Sequence, residues 1–599
     1  MGAQGAIHIP NLRQGTNTTL SYEFSQRLHD AQVYPIQAPN GSAVIVYGYD
    51  WGLAIIWRGG EDTSAKGASA DQIRYDIVVD ERKDGEYYEI IAGDEELEDD
   101  TNPSPPIVKE SGFVFGTSIL GFAFPPLTRD STLYGYPSLP TFVTESLVIA
   151  AFSSDFKVRL ITMALDPART TYDVVSFSHQ AIPEVVAVTL VRRPQISTEG
   201  AENFDFLIAS CASERLSKIH FARIPLETTS KKLQKPQLFS EEYFSSSISA
   251  VVFNPAVLST DRGSQVLVAD LDGCVQIYDP LTPSDNDAPT NSGSWLAKFY
   301  SPFESPKAVD INAPATVRRK PILDASWTSL EGRSIIVLLS DGEWGIWDLY
   351  GLGLGDTSTS VSPRQYFAMH GYIGDNVPTS IESGVTGPKK PRGSRSSLAP
   401  MTPNTRRQKQ ESLFSGPTKT ASTAPTGGIT VQQMLSVSGV GIEDAVTFWY
   451  DNNAYAIPSL RRFRNRISQE KTGSAGGSLY GPGLSRIEGL DLHGERIQRV
   501  SQLPSETSSS HTAQKDYVVV TEHRLTFLTN KLPRLPARQL FKGLESADIS
   551  TADQSLLAHG ELDIGGLDRM LDNMNGNDDV FIGDNLNGTF RPRRVGFMP

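Results

Sequence analysis

The chain has 599 residues, 39% of them hydrophobic, with two cysteines and a formal net charge of −15. That charge disfavours a general nucleic-acid binder, which needs a broad basic face, and two cysteines cannot build a disulfide framework or a zinc cage by themselves. No window approaches roughly 18 uninterrupted apolar residues and the opening MGAQGAIHIPNLRQG has no apolar h-region, so neither a membrane span nor a secretory signal is expected, and a reducing compartment is.

In chain order, residues 1–17 read as a polar, flexible start. Residues 18–24 alternate like a strand, and in a closed ring such a strand completes the last blade and removes an open edge. Seven times an apolar, β-branched run then meets a turn and an apolar or aromatic run returns, at 44–57, 147–161, 206–221, 266–278, 335–347, 446–457 and 517–528. A supersecondary unit recurring at this spacing points to a propeller or solenoid. The clearest copies are QVLVADLDGCVQIYDP and SIIVLLSDGEWGIWDL, in which Asp272-Gly273 and Asp341-Gly342 supply the positive φ of a tight hairpin. Apolar runs at 184–191, 248–253 and 322–327 precede three of the hairpins and suit innermost blade strands covered on both faces. No helical pattern long enough for a βαβ crossover intervenes, so an all-β class is predicted.

Two insertions interrupt this rhythm. The first, about 81–111, follows a possible strand at 73–79 and carries DEELEDD at 94–100, whose like charges repel, followed by prolines that forbid a sheet ladder. The second, about 355–430, is rich in Ser, Thr, Pro and Gly and has too few apolar residues to offset the entropy of ordering. Both are expected to be disordered. Within the second, Lys389, Lys390 and Arg392, with Arg406, Arg407 and Lys409 downstream, form a candidate nuclear localisation signal, for which the bland reading is a solvated basic loop. Residues 531–599 read as a C-terminal extension in which Leu567, Met570, Leu571 and Met574 fall at i, i+3, i+4 and i+7, the stripe of a short acidic amphipathic helix. That helix is a candidate partner-binding element, or one that folds back.

Catalytic patterns are not found. There is no HExxH, GxSxG or GxxxxGK[ST], and the nine histidines are scattered without metal-ligand spacing. No catalytic, metal or cofactor residue is predicted. Cys211 and Cys274 sit in apolar strand patterns and read as buried free thiols.

The segments VYPIQAPNGS at 33–42, VIVYG at 44–48 and IIWRGG at 55–60 resemble the opening blade of the fungal nucleoporin 37 family, the small β-propeller subunit of the nuclear pore's outer-ring Y complex. DGEWGIWDL at 341–349 is similar to a degenerate WD repeat, although Trp347-Asp348 is the one true Trp-Asp pair among the hairpins. The resemblance implies a seven-bladed WD40-like propeller over 18–530 that acts as a non-enzymatic scaffold. It also implies location at the nuclear envelope and docking, without nucleic acid or membrane insertion, on a large outer-ring nucleoporin of the 120/160 type. The rival readings are a WD40-type adaptor in a chromatin or ubiquitin-ligase assembly and, further off, a propeller enzyme with catalytic side chains converging on the central channel.

Overall fold

The computed structural model describes residues 9–14, 18–60, 76–78, 86–91, 107–127, 140–169, 171–193, 203–227, 232–256, 262–282, 293–304, 318–328, 332–349, 367–373, 425–435, 442–471, 484–503 and 516–529. The chain divides into two units, Met1–Lys531 and Leu532–Pro599, and every described residue lies in the first.

Each of the seven expected hairpins is the central strand pair of its own antiparallel sheet, and the seven sheets are the blades of a β-propeller. Blade 4 is representative. Val266–Asp270 and Cys274–Asp279 form the hairpin, Ile248–Phe253 is the innermost strand and Ser294–Tyr300 the outermost. Its turn closes because Gly273 takes a φ of +84° and the Asp270 carboxylate accepts from the Cys274 amide at 2.8 Å. The central strands are buried almost throughout, which is why they read as continuous apolar runs.

The ring closes as the sequence predicts. Thr18–Glu23 pairs in register with Arg524–Thr529, so the last blade takes its outer strand from the beginning of the chain. Ile9–Gln14, within the stretch expected to be flexible, adds a further strand to that sheet. Glu86–Ile91 and Met369–Tyr372 fall inside stretches expected to be disordered insertions, and Ile107–Val114 straddles the end of the first; Ile107–Val114 and Met369–Tyr372 are the strands that flank the hairpins of blades 1 and 5, and Glu86–Ile91 pairs with Ile107–Val114. Alternation in Ile107–Val114 is masked in sequence by Lys109 and Glu110, which are nonetheless buried: Lys109 Nζ donates to Pro167 O at 2.6 Å and Tyr47 Oη to Glu110 Oε1 at 2.7 Å.

The apolar core lies between blades rather than along the axis. Ring pairs bridge neighbours: Phe113–Tyr172 at 5.3 Å joins blades 1 and 2, Phe221–Tyr278 at 5.2 Å blades 3 and 4, and Trp344–Phe448 at 5.5 Å blades 5 and 6. Trp57 Nε1 donates to Leu165 O and Trp327 Nε1 to Val252 O, both at 3.0 Å, again across a blade boundary. Trp347, the tryptophan of the Trp-Asp pair, packs on Phe299 and Phe367, and its Nε1 has no partner among the described residues, so its contribution to blade 5 is ring packing.

Candidate functional site

The innermost strands of all seven blades line a central cavity of about 1030 Å³. Five of these strands carry a register shift of one residue near their start, at His29, Leu120, Glu184, Ser249 and Leu323, and each of these residues lines the cavity. Such bulges re-aim side chains and increase local twist. The polar groups of the channel stitch blades together. Asp30 of blade 1 binds Arg499 Nε of blade 7 at 3.0 Å and accepts from Gln32 Nε2 at 2.8 Å, and Gln32 in turn donates to Phe122 O of blade 2 at 2.7 Å. Asp324 of blade 5 accepts from the Ile429 amide of blade 6 at 2.8 Å, and burial raises its carboxyl to about 6 despite that bond. Among the described residues, no group of three or more His, Cys, Asp or Glu gathers as metal ligands would. The channel carboxylates Asp30, Asp324 and Glu184 are each hydrogen-bonded within the ring, whereas Ser249 Oγ, Thr430 Oγ1 and Gln498 Oε1 have no partner among the described residues.

The two faces of the ring differ. In every blade the loop leading into the innermost strand and the turn joining the second and third strands share one face. Backbone bonds make this explicit: Ser154 N donates to Ser118 O at 3.0 Å, His179 N to Phe156 O at 2.7 Å and Leu271 N to Ser247 O at 3.0 Å. All seven turns on this face carry an acid: Asp50, Asp155, Glu214, Asp272, Asp341, Asp451 and Glu522. In blades 1 to 4 a large exposed apolar side chain stands beside the acid, namely Trp51, Phe156, Leu216 and Leu271, and Ile182 and Phe303 are exposed on incoming loops of the same face.

The opposite face carries a basic element. After the third strand of blade 6, Ser459 caps the helix Leu460–Lys471, its Oγ accepting from the Arg462 amide at 3.3 Å. Leu460 is buried and Phe463 packs 5.9 Å from Trp344, while Arg461, Arg462 and Arg466 are exposed. Buried Glu443 anchors the helix, accepting from Ser459 Oγ and from Arg461 Nη2 at 2.6 Å.

The candidate localisation residues Lys389, Lys390, Arg392, Arg406, Arg407 and Lys409 lie outside the described residues, as do Leu567, Met570, Leu571 and Met574 of the candidate partner helix. Cys211 and Cys274 are buried free thiols, and burial pushes each up to about 12. Sequence reasoning missed both faces. Their signals were present: an acid beside a bulky apolar residue at four hairpin tips, and Leu460, Phe463 and Ile467 on one side of an arginine-rich run.

The Nucleoporin NUP37 N-terminal domain family matches residues 21–528, from the closing strand to the end of the last blade. The Nucleoporin NUP37 of Chaetomium thermophilum is 28% identical over 545 residues, covering 78% of this chain and 69% of that protein.

Proposed function

The chain belongs to the nucleoporin NUP37 family, and on that premise we propose that it is a structural scaffold of the nuclear pore's outer ring. It performs no reaction. It presents a rigid disc to protein neighbours, above all to the large 120/160-type outer-ring nucleoporin, within a heteromeric complex at the nuclear envelope. Its contribution to protein and mRNA transport is indirect, through pore assembly.

The observation that carries this reading is the closed ring itself. Seven blades locked by Thr18–Glu23 against Arg524–Thr529 leave no open sheet edge at the seam, and the channel acids are engaged in bonds between or within blades. Such a disc is pre-organised, so binding loses little conformational entropy, and a standard interface of about 1,600 Å² would occupy a fraction of one face. The test is reconstitution: the purified chain mixed with the purified 120/160-type subunit of the same organism and run by size exclusion. Co-elution as a stoichiometric complex is expected. Separate elution at micromolar concentration, with the ring folded, contradicts the partner assignment.

A further inference from the structure

Blades 1 to 4 repeat one surface feature that blades 5 to 7 do not. The tips of their central hairpins are Asp50-Trp51, Ser154-Asp155-Phe156, Glu214-Arg215-Leu216 and Leu271-Asp272-Gly273. Each sets one carboxylate against one large apolar side chain that the fold leaves in water. Trp51 is 57% exposed, Leu216 51% and Phe156 44%. The tips of blades 5 to 7 keep the acid but carry Gly342, Asn452 and His523 in the corresponding stretch. The apolar arc therefore covers four successive blades and then stops.

Phe156 marks the arc independently of exposure. Its φ is +65°, the left-handed region that a bulky side chain rarely occupies and that Gly or Asn takes more readily. A strained, exposed aromatic does not improve folding, and local strain of this kind collects at binding surfaces. Charge defines what fits. Asp155 is paired with Arg159 and Asp50 with His29, which leaves the exposed Glu214 and Asp272 as the carboxylates turned to solvent, beside the one tip cation, Arg215. A ligand must bring apolar side chains for the tips and positive charge for the carboxylates between them.

The geometry points to the blade 1–4 arc as a docking surface for a basic–apolar protein segment, one whose apolar side chains are flanked by lysines or arginines. The apolar contacts supply affinity and the carboxylates orient the segment and exclude acidic competitors.

The test uses the purified full chain and a fluorescein-labelled helical 18-residue peptide of Leu and Lys, with Leu/Glu and Ser/Lys peptides as comparators, read by anisotropy. The Leu/Lys peptide is expected to bind at least about tenfold more tightly than either comparator. Trp51→Ser combined with Phe156→Asn should weaken it about tenfold or more, whereas Leu281→Ser, an exposed apolar site on the opposite face, should not change it. Asn tolerates the Phe156 backbone, so thermal melting should hold or rise in Phe156→Asn while binding falls. Equal binding of the Leu/Lys and Ser/Lys peptides, equal binding of the Leu/Lys and Leu/Glu peptides, or a loss with Leu281→Ser matching that of the tip variant overturns the assignment. The assay contains no nucleoporin partner, so its failure leaves the outer-ring reading standing, and failure of the reconstitution above leaves the arc standing.

Discussion

His179 and His220 stack with ring centroids 4.3 Å apart at the junction of blades 2 and 3, and His179 shares a 2.8 Å hydrogen bond with Ser210 Oγ. Burial, helped by the neighbouring His220 and Lys218 charges, lowers His179 from 6.5 to about 4, against a weaker opposing pull from Glu241. The unfolded chain therefore takes up a proton first as pH falls. Stability from His179 is complete above about pH 6.5 and is lost progressively toward pH 4, on the order of 2 kcal/mol once partial exposure is allowed for. Asp324 works in the other direction. Its carboxyl is raised from 3.8 to about 6, so its contribution is present below 3.8 and lost as pH rises through 6. Melting temperatures measured from pH 6.5 to 4.5 should fall less steeply in His179→Gln than in the parent and more steeply in Asp324→Asn. Parallel curves for the parent and His179→Gln would contradict the buried neutral imidazole. None of this was legible in the sequence. His179 and His220 are far apart in the chain and meet through the stacking of two blades, whereas the Asp272-Gly273 turn declared itself because its chemistry is local.

Elements whose pattern has period two and a turn signal were readable, which is why all seven central hairpins and the closing strand were found. Elements held by tertiary partners were not. Ile107–Val114 hides behind Lys109 and Glu110, and the helix Leu460–Lys471 has a sparse apolar face that needs Glu443, on another strand, to hold it. Replacing Glu443 by Ala removes the acceptor for Ser459 and Arg461 and the ion-pair partner of Arg462. Hydrogen exchange should then speed up across residues 459–467 with the central hairpins unchanged; uniform protection would contradict the anchoring role. At the seam, Leu20 and Tyr22 bury against the last blade, and Tyr22 meets Phe527 edge-on at 5.5 Å. A Leu20→Asp change places an unpaired carboxylate in that core and should cost about 3 kcal/mol or more. It should lower the melting temperature and expose the chain near residue 24 to limited proteolysis. An unaltered melt would mean the ring does not depend on its closing strand.

At the scale of the whole molecule, the ring is closed, its blades pack on one another and the chain belongs to the nucleoporin NUP37 family, and these three facts support the scaffold role proposed above. The resemblance carried by residues 33–60 foretold the architecture because the first blade is intact there, with Val44, Ile45 and Val46 fully buried opposite Ile55, Ile56 and Trp57. The proposed docking arc stayed unread because it is a sum of single residues from separate hairpins, and a linear pattern does not show that four tips share a face. Imaging a fluorescent fusion expressed at native level tests the scaffold reading most directly. A punctate nuclear rim coincident with outer-ring nucleoporins is the predicted result; a diffuse cytosolic signal from an intact, folded fusion would contradict it.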